Sequence, residues 1–335
     1  MFSQYEDFIN KLISAGIEES EAKREISILL SEIGENNLEE IEKIVRKRVQ
    51  TRIPIQYLLG KASFMDFEVK VNEKVLIPRP ETEILVEETV KRLERHVIPA
   101  KAGIQKQDYM LRSSGFRVKP GMTLTALDIG TGSGIIAIAI AKLIPDIKIT
   151  SIDIDKEIIH LAKENAKLNN VENKINFKIC DVFSKCFEGL LQSQKFDLIV
   201  SNPPYVKGRT CYGKSVQPEI MHEPKIALSG SKENTTGLIY YERIIELIKK
   251  CYGLPRHCEE AQSADPLRRS EASVVISKRY EIALPLARND VKLLAFEIDP
   301  PLVDDLKSLL KKNNLNNYEI IKDYSKLDRC LFVYP

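Results

Sequence analysis

Between residues 5 and 49, apolar positions recur every three or four residues, the spacing of helices that bury one stripe. Tyr5, Phe8, Ile9, Leu12 and Ile13 form the first stripe, with Gly16 placed to close it and Ser3 and Glu6 forming a capping-box pattern ahead of it. Ala22, Ile26, Leu29, Leu30 and Ile33 form a second. Ile41, Ile44, Val45 and Val49 form a third, opened by Asn37 with Glu40 and limited by Pro54. The period then shortens to two: Phe67, Val69 and Val71 alternate with charged residues, Asn72-Glu73-Lys74 interrupts, and Val75-Leu76-Ile77 follows. That pattern predicts a small hairpin turning at 72–74. A helix from Ile84 to about Leu93 is expected next.

From Leu124 short apolar runs alternate with amphipathic ones. Segments 124–129, 147–152, 175–180, 196–201 and 292–298 read as buried strands; 135–143, 156–168, 238–249 and a stretch ending at Lys312 read as helices. Such alternation predicts an α/β fold with a doubly wound, mostly parallel sheet. The expected organisation is a helical domain over 1–60, a hairpin and connecting helix over 61–95, and the α/β domain over 123–335. Segments 96–122 and 252–290 carry neither period and interrupt joints that need only a few residues, so both are expected to be inserted, exposed loops.

Composition narrows the classes. With 335 residues, 43% hydrophobic and 29% charged, the chain reads as soluble and large enough for a substantial core. Lys and Arg (50) nearly balance Asp and Glu (48), so no global field favours nucleic acid. The six cysteines show no Cys-x-x-Cys pair and no zinc spacing, so no metal site is expected, and Cys180 should be a buried thiol. Segment 1–12 lacks a basic-then-apolar signal and the longest apolar run, Ile135 to Ala141, is too short to span a bilayer; a cytoplasmic location is expected. The basic cluster Arg46, Lys47, Arg48 and Arg52 reads as compensation of a helix C-terminus in preference to a contact with an acidic partner or RNA.

Candidate chemistry gathers at the carboxyl ends of the predicted strands, where open α/β sheets place ligands. Asp128-Ile129-Gly130-Thr131-Gly132-Ser133-Gly134 is a glycine-rich strand-to-helix turn that lets backbone approach a ligand closely. Its spacing is not that of dinucleotide sites, and no Gly-Lys-Ser/Thr follows, which excludes a P-loop. Asp153 ends the second strand. Alone it would read as an ordinary helix-capping acid, but beside the glycine loop it can accept both ribose hydroxyls of an adenosine. Asp181, after the third, can accept from an adenine amino group with Val182 covering the ring, while Asp155 reads as a helix N-cap. After the fourth strand, Asn202-Pro203-Pro204-Tyr205 must form a rigid turn, because neither proline can donate to a ladder. The Asn202 side-chain carbonyl and the Pro203 backbone carbonyl can each accept one N–H of a planar amino or amide nitrogen, and Tyr205 can pack on the flat group.

This order of motifs resembles the class I S-adenosylmethionine-dependent methyltransferases, and the Asn-Pro-Pro-Tyr turn resembles that of members methylating planar nitrogens. Val75-Leu76-Ile77-Pro78-Arg79-Pro80-Glu81-Thr82-Glu83 and the helical N-terminal domain are similar to those of the protein-glutamine methyltransferases of peptide chain release factors. The resemblance implies a Rossmann-like sheet. It implies S-adenosylmethionine as methyl donor, held by Gly130, Thr131, Gly132, Ser133, Gly134, Asp153, Val182 and Asn202 together with Asp181. It implies that Asn202, Pro203, Pro204 and Tyr205 hold the glutamine of a release factor Gly-Gly-Gln loop, with Asn202, Pro203 and Tyr205 serving catalysis, and that the N-terminal helices help to dock that factor. Three stretches depart from the family: His222 where an aromatic usually precedes Glu223-Pro224, the turn Ser229–Gly237, and Asp299-Pro300-Pro301 in place of a glycine. Two other readings stay open. One is a methyltransferase of nucleic-acid amino groups, which the net charge of +2 and the want of a target-recognition domain disfavour. The other is a non-catalytic S-adenosylmethionine-binding protein disabled by the insertions.

Overall fold

The computed structural model describes residues 5–97, 123–207, 218–231, 233–252 and 291–335. The expected loops 96–122 and 252–290 lie outside the described residues except for their first positions, as does Ser3 of the expected capping box.

Four helices come first: α1 (Glu6–Ser14), α2 (Glu19–Ile33), α3 (Leu38–Thr51) and α4 (Ile55–Leu59). Their stripes close on one another around Tyr5, Leu12, Ile26, Leu29, Ile41 and Val45. Asn37 stands at the N-cap of α3 as its sequence position suggests, but its side chain makes no cap hydrogen bond. Arg48 departs further from expectation. It is fully buried and pairs with buried Glu25 (Nη2 to Oε1, 2.9 Å), while its Nη1 donates both to the Arg52 carbonyl at the end of α3 and to Glu219 Oε1, 3.0 Å in each case. Arg52 joins Glu219 as well (Nε to Oε1, 2.8 Å). Helix-end compensation is therefore part of the role of this cluster, but its centre is a buried ion pair extended to a segment far along the chain.

The hairpin forms one strand earlier than the alternation suggests. β1 (Lys61–Phe64) pairs antiparallel with β2 (Phe67–Lys70), turning at Met65-Asp66, with Met65 at φ +51°. After Val71, Asn72 accepts from the Val75 N–H through its carbonyl and from the Lys74 N–H through its side chain, so the chain turns away and 75–77 is not a strand. Helix α5 (Pro80–Val97) starts before Ile84, since a proline is favoured in a first helical turn and Glu81 and Glu83 suit its dipole.

The main sheet is built from β3 (Leu124–Ile129), β4 (Ile147–Asp153), β5 (Ile175–Ile179), β6 (Leu198–Ser201), β7 (Leu293–Glu297), β8 (Tyr318–Lys322) and β9 (Asp328–Val333). Its order is β5-β4-β3-β6-β7-β9-β8; the first five run parallel, β9 is antiparallel to β7, and β8, antiparallel to β9, runs in the direction of the first five. The C-terminal pair β8–β9 is not foreseen by the apolar pattern, because the edge strand β8 is only half-buried. Helices α6 (Ile135–Leu143), α7 (Lys156–Leu168), α8 (Lys185–Ser193), α9 (Lys225–Ser229), α10 (Ile239–Tyr252) and α11 (Val303–Lys312) follow among the described residues. Alternate strand residues feed two cores: Leu198, Val200, Leu293 and Ala295 pack on the face of α6 and α7, and Ile199, Leu294 and Phe296 on that of α10 and α11. From β3 the chain winds outward through β4 to β5, then crosses to β6 on the other side. The switch point, and so the ligand crevice, lies beyond the carboxyl ends of β3 and β6.

Candidate active site

Register brings the motifs together. Ile129 pairs with Ser201, so Gly130 and Asn202 leave the sheet side by side, and the Ser201 hydroxyl donates to the Ile129 carbonyl (2.8 Å) to fasten the two exits. Gly130 and Gly132 have φ of +74° and +54°, which a glycine adopts without strain, and a Cβ at either would meet open space. Gly134, at the N-cap of α6, differs: its Cβ would press on Ile138 and Ala162, so it serves helix packing. The turn opens onto a cleft. Gly130, Thr131, Gly132 and Ser133 line it together with Asp153, Asp181, Val182, Asn202, Pro203 and Pro204.

Each acid is held in place. Asp153 Oδ2 accepts from the Gly132 N–H at 3.1 Å, so the glycine loop and the end of β4 are one unit. Burial pushes the Asp153 carboxyl up, against the Gly132, Asp155 and Ile154 amides. Asp181 Oδ1 accepts from the Phe183 N–H (2.9 Å), and Arg243 Nε donates to the Val182 carbonyl (3.3 Å). Exposed Ile154 and half-buried Tyr240 line the same cleft as Val182. Asp155 caps α7, accepting from the Glu157 N–H at 2.7 Å. Asp128 does not line the cleft; it lies buried beneath the loop, bonded by Ser151 (2.8 Å), and burial pushes it up to about 6.

Tyr205 also stands apart from the cleft lining. It is turned into the protein, where its hydroxyl donates to Glu297 Oε1 at 3.1 Å. The departing turn Ser229–Gly237 supports Asn202–Tyr205 from behind: Asn234 donates to the Pro204 carbonyl (3.3 Å) and the Ser229 carbonyl (2.9 Å) and accepts from the Gly237 N–H (2.9 Å). His222 is half-buried with its ring nitrogen 2.8 Å from the Thr51 carbonyl, tying the segment before α9 to α3. Asp299 begins a short 3-10 turn over Pro300–Leu302 in place of a glycine. His160 is an exposed residue of α7, with no place in the cleft.

Comparison with known proteins decides the family. Residues 116–231 match the family described as methyltransferase small domain. A release factor glutamine methyltransferase of Flavobacterium psychrophilum is 34% identical over 227 residues, covering 67% of this chain and 68% of that protein. The chain belongs to the release factor glutamine methyltransferase family. A second relative of that name, from Thermodesulfovibrio yellowstonii, is 37% identical and covers 65% of this chain and 66% of its own length. The one from Chlorobaculum tepidum is 29% identical, covering 88% and 78%.

Three groups of this family member carry no role in the motif reading. Thr82, on α5, lines the cleft and donates to Glu297 Oε2 at 2.6 Å. Glu297, fully buried at the end of β7, is pushed up by burial, against hydrogen bonds from Thr82 and Tyr205 and the charge of Arg329. Arg79, on the cleft wall, pairs with buried Glu223. Ser201 pairs with Phe296, which places Glu297 level with Asn202. The sequence signal was an acid closing the strand beside the Asn-Pro-Pro-Tyr strand, visible only once β6 and β7 are known neighbours.

Proposed function

We propose that this chain transfers the methyl group of S-adenosylmethionine to the side-chain amide nitrogen of the glutamine in a release factor Gly-Gly-Gln loop. The observation that carries the reading is Asn202-Pro203-Pro204 held at the switch point, one strand from the glycine loop, in a chain of this family.

The residues of the cleft fit the methyl donor. Open space over Gly130 and Gly132 admits the amino-acid end, Asp153 offers an anchored carboxylate to a ribose, and Val182 with Ile154 and Tyr240 offers apolar faces to an adenine beside Asp181. Ser133 Oγ is buried with no partner among the described residues and is available to a ligand. When bound, this cofactor supplies an electrophilic methyl on a sulfonium. The protein's part is to hold the nucleophile. An amide nitrogen is poor at attack because its lone pair is shared with the carbonyl. The Asn202 Oδ1 and the Pro203 carbonyl accept its two N–H bonds and aim it, and these bonds strengthen as the nitrogen pyramidalises and its protons become more acidic. Positioning supplies a further share of the acceleration.

Mass spectrometry of a release factor incubated with the chain and S-adenosylmethionine tests this reading: one methyl on the Gly-Gly-Gln peptide is expected. Parallel incubations with tRNA, rRNA and DNA should take up no label, in keeping with the near balance of Lys and Arg (50) and Asp and Glu (48). Labelled nucleic acid with unmodified release factor would reverse it. A cytoplasmic site of action belongs to the same proposal; among the described residues no helix is long and apolar enough to cross a membrane.

Asp153→Ala is expected to weaken S-adenosylmethionine binding about 10- to 100-fold in calorimetry, the loss of hydrogen bonds to a charged acceptor worth about 1.5–3 kcal/mol. Unchanged affinity would take Asp153 out of the cofactor site.

A further inference from the structure

The carboxylate of Glu297 and the hydroxyl of Thr82 form a chain that ends on the reacting end of the cleft. Thr82 Oγ1 donates to Glu297 Oε2 at 2.6 Å, and the Asn202 Nδ2 amide donates to Thr82 Oγ1 at 3.3 Å. On the other side Tyr205 donates to Glu297 Oε1 at 3.1 Å, and the Tyr241 hydroxyl holds the Glu297 backbone carbonyl at 2.7 Å. Thr82 and Glu297 are almost wholly buried, so neither group is satisfied by solvent.

We propose that Thr82 and Glu297 are positioning residues that set which face of the Asn202 side-chain amide meets the substrate. The argument counts protons. A carboxylate only accepts, and a threonine hydroxyl has one proton and two lone pairs. With Glu297 ionised and both of its oxygens occupied as acceptors, the single Thr82 proton is committed to Oε2, and only a lone pair is left for Asn202. The amide must therefore present its NH₂ to Thr82, and its carbonyl oxygen is directed away from that contact, toward the acceptor role in the cleft. An Asn202 turned the other way would set its carbonyl oxygen against the lone pairs of Thr82 and offer donors to a substrate amide that has two donors of its own. Thr82 comes from α5, Asn202 from the exit of β6 and Glu297 from the end of β7, so three separate elements fix one side-chain rotamer. The inference rests on the proposed methylation of a glutamine amide.

The test compares Thr82→Val, which removes the hydroxyl at nearly constant volume, with Thr82→Ser, which restores it, using the full-length chain and a release factor. Thr82→Val should lower kcat about 10²-fold, the cost of a misaligned nucleophile, with S-adenosylmethionine affinity and release factor KM unchanged. Thr82→Ser should recover most of the rate, and Glu297→Gln, whose amide can offer a donor to Thr82, should fall with Thr82→Val. A second readout is independent of turnover: in protein labelled with ¹⁵N-asparagine, the Asn202 side-chain resonance, assigned by its loss in Asn202→Ala, should shift in Thr82→Val and return in Thr82→Ser. A wild-type kcat in Thr82→Val, equal loss in Thr82→Ser, or an unmoved Asn202 resonance would each overturn the proposal. If the wild-type chain methylates no release factor, the functional reading fails on its own, and the resonance still decides the hydrogen-bond chain.

Discussion

Asn202→Ala is expected to slow single-turnover methyl transfer about 10²- to 10³-fold while leaving S-adenosylmethionine binding largely intact. The size follows from what the side chain does in the proposed reaction. Its oxygen is one of two fixed acceptors for the nucleophile's N–H bonds, in a cleft that Pro203, Pro204 and Thr82 of α5 also line. A preorganised acceptor needs no reorganisation when charge develops, which is why losing one such group costs far more than an ordinary hydrogen bond. The cofactor contacts expected of Gly130, Gly132 and Asp153 lie in the turn after β3 and at the end of β4 and are untouched by the change. Rapid-mixing of the enzyme–cofactor complex with release factor, quenched and read by mass spectrometry, isolates the step. A rate within about 3-fold of wild type would remove Asn202 from this role; a parallel collapse of cofactor affinity would mark it as a structural support of the cleft instead.

Much of this site was legible in the sequence because its parts are local. A glycine that needs positive φ, an acid closing a strand and a pair of prolines at a strand exit each announce themselves within a few residues, and the parallel sheet then brings Gly130, Asp153 and Asn202 to one end. What was hidden depends on neighbours distant in the chain. Glu297 reads as the end of an apolar run until β7 is laid beside β6, and Thr82 belongs to a motif whose proline and glutamates signal only a helix start. The hairpin was misplaced because Phe67, Val69 and Val71 alternate equally well toward a partner on either side, and the choice is made by the turn at Met65-Asp66. Tyr205 reads as an aromatic wall by type, yet its hydroxyl finds a hydrogen-bond partner inside the protein, the Glu297 carboxylate. Arg48 was hidden for the same reason: its partners Glu25 and Glu219 lie 23 and 171 residues away.

That ion pair carries the second large effect. Arg48→Ala is expected to destabilise the helical region by about 3–5 kcal/mol, because it strands the Glu25 carboxylate in a core where no solvent replaces the guanidinium. Arg52 still holds Glu219, so the attachment of α3 to the segment before α9 is weakened and not abolished. The pH dependence separates a stranded charge from a simple cavity. Burial already pushes Glu25 up, with Arg48 opposing it through hydrogen bonds and charge; removing Arg48 lets the folded-state value rise further above the unfolded one. A group raised in the folded state contributes stability below its unfolded value and loses that contribution as pH rises through the folded value. The deficit of Arg48→Ala, taken as the difference from wild type in urea unfolding followed by circular dichroism, should therefore be larger near pH 8 than near pH 5. Adding Glu25→Gln should recover part of it at the higher pH and little at the lower. A deficit equal at both pH values, or below about 1 kcal/mol, would mean that Arg48 acts through packing and its Glu219 contact, and that Glu25 is not left as an uncompensated charge.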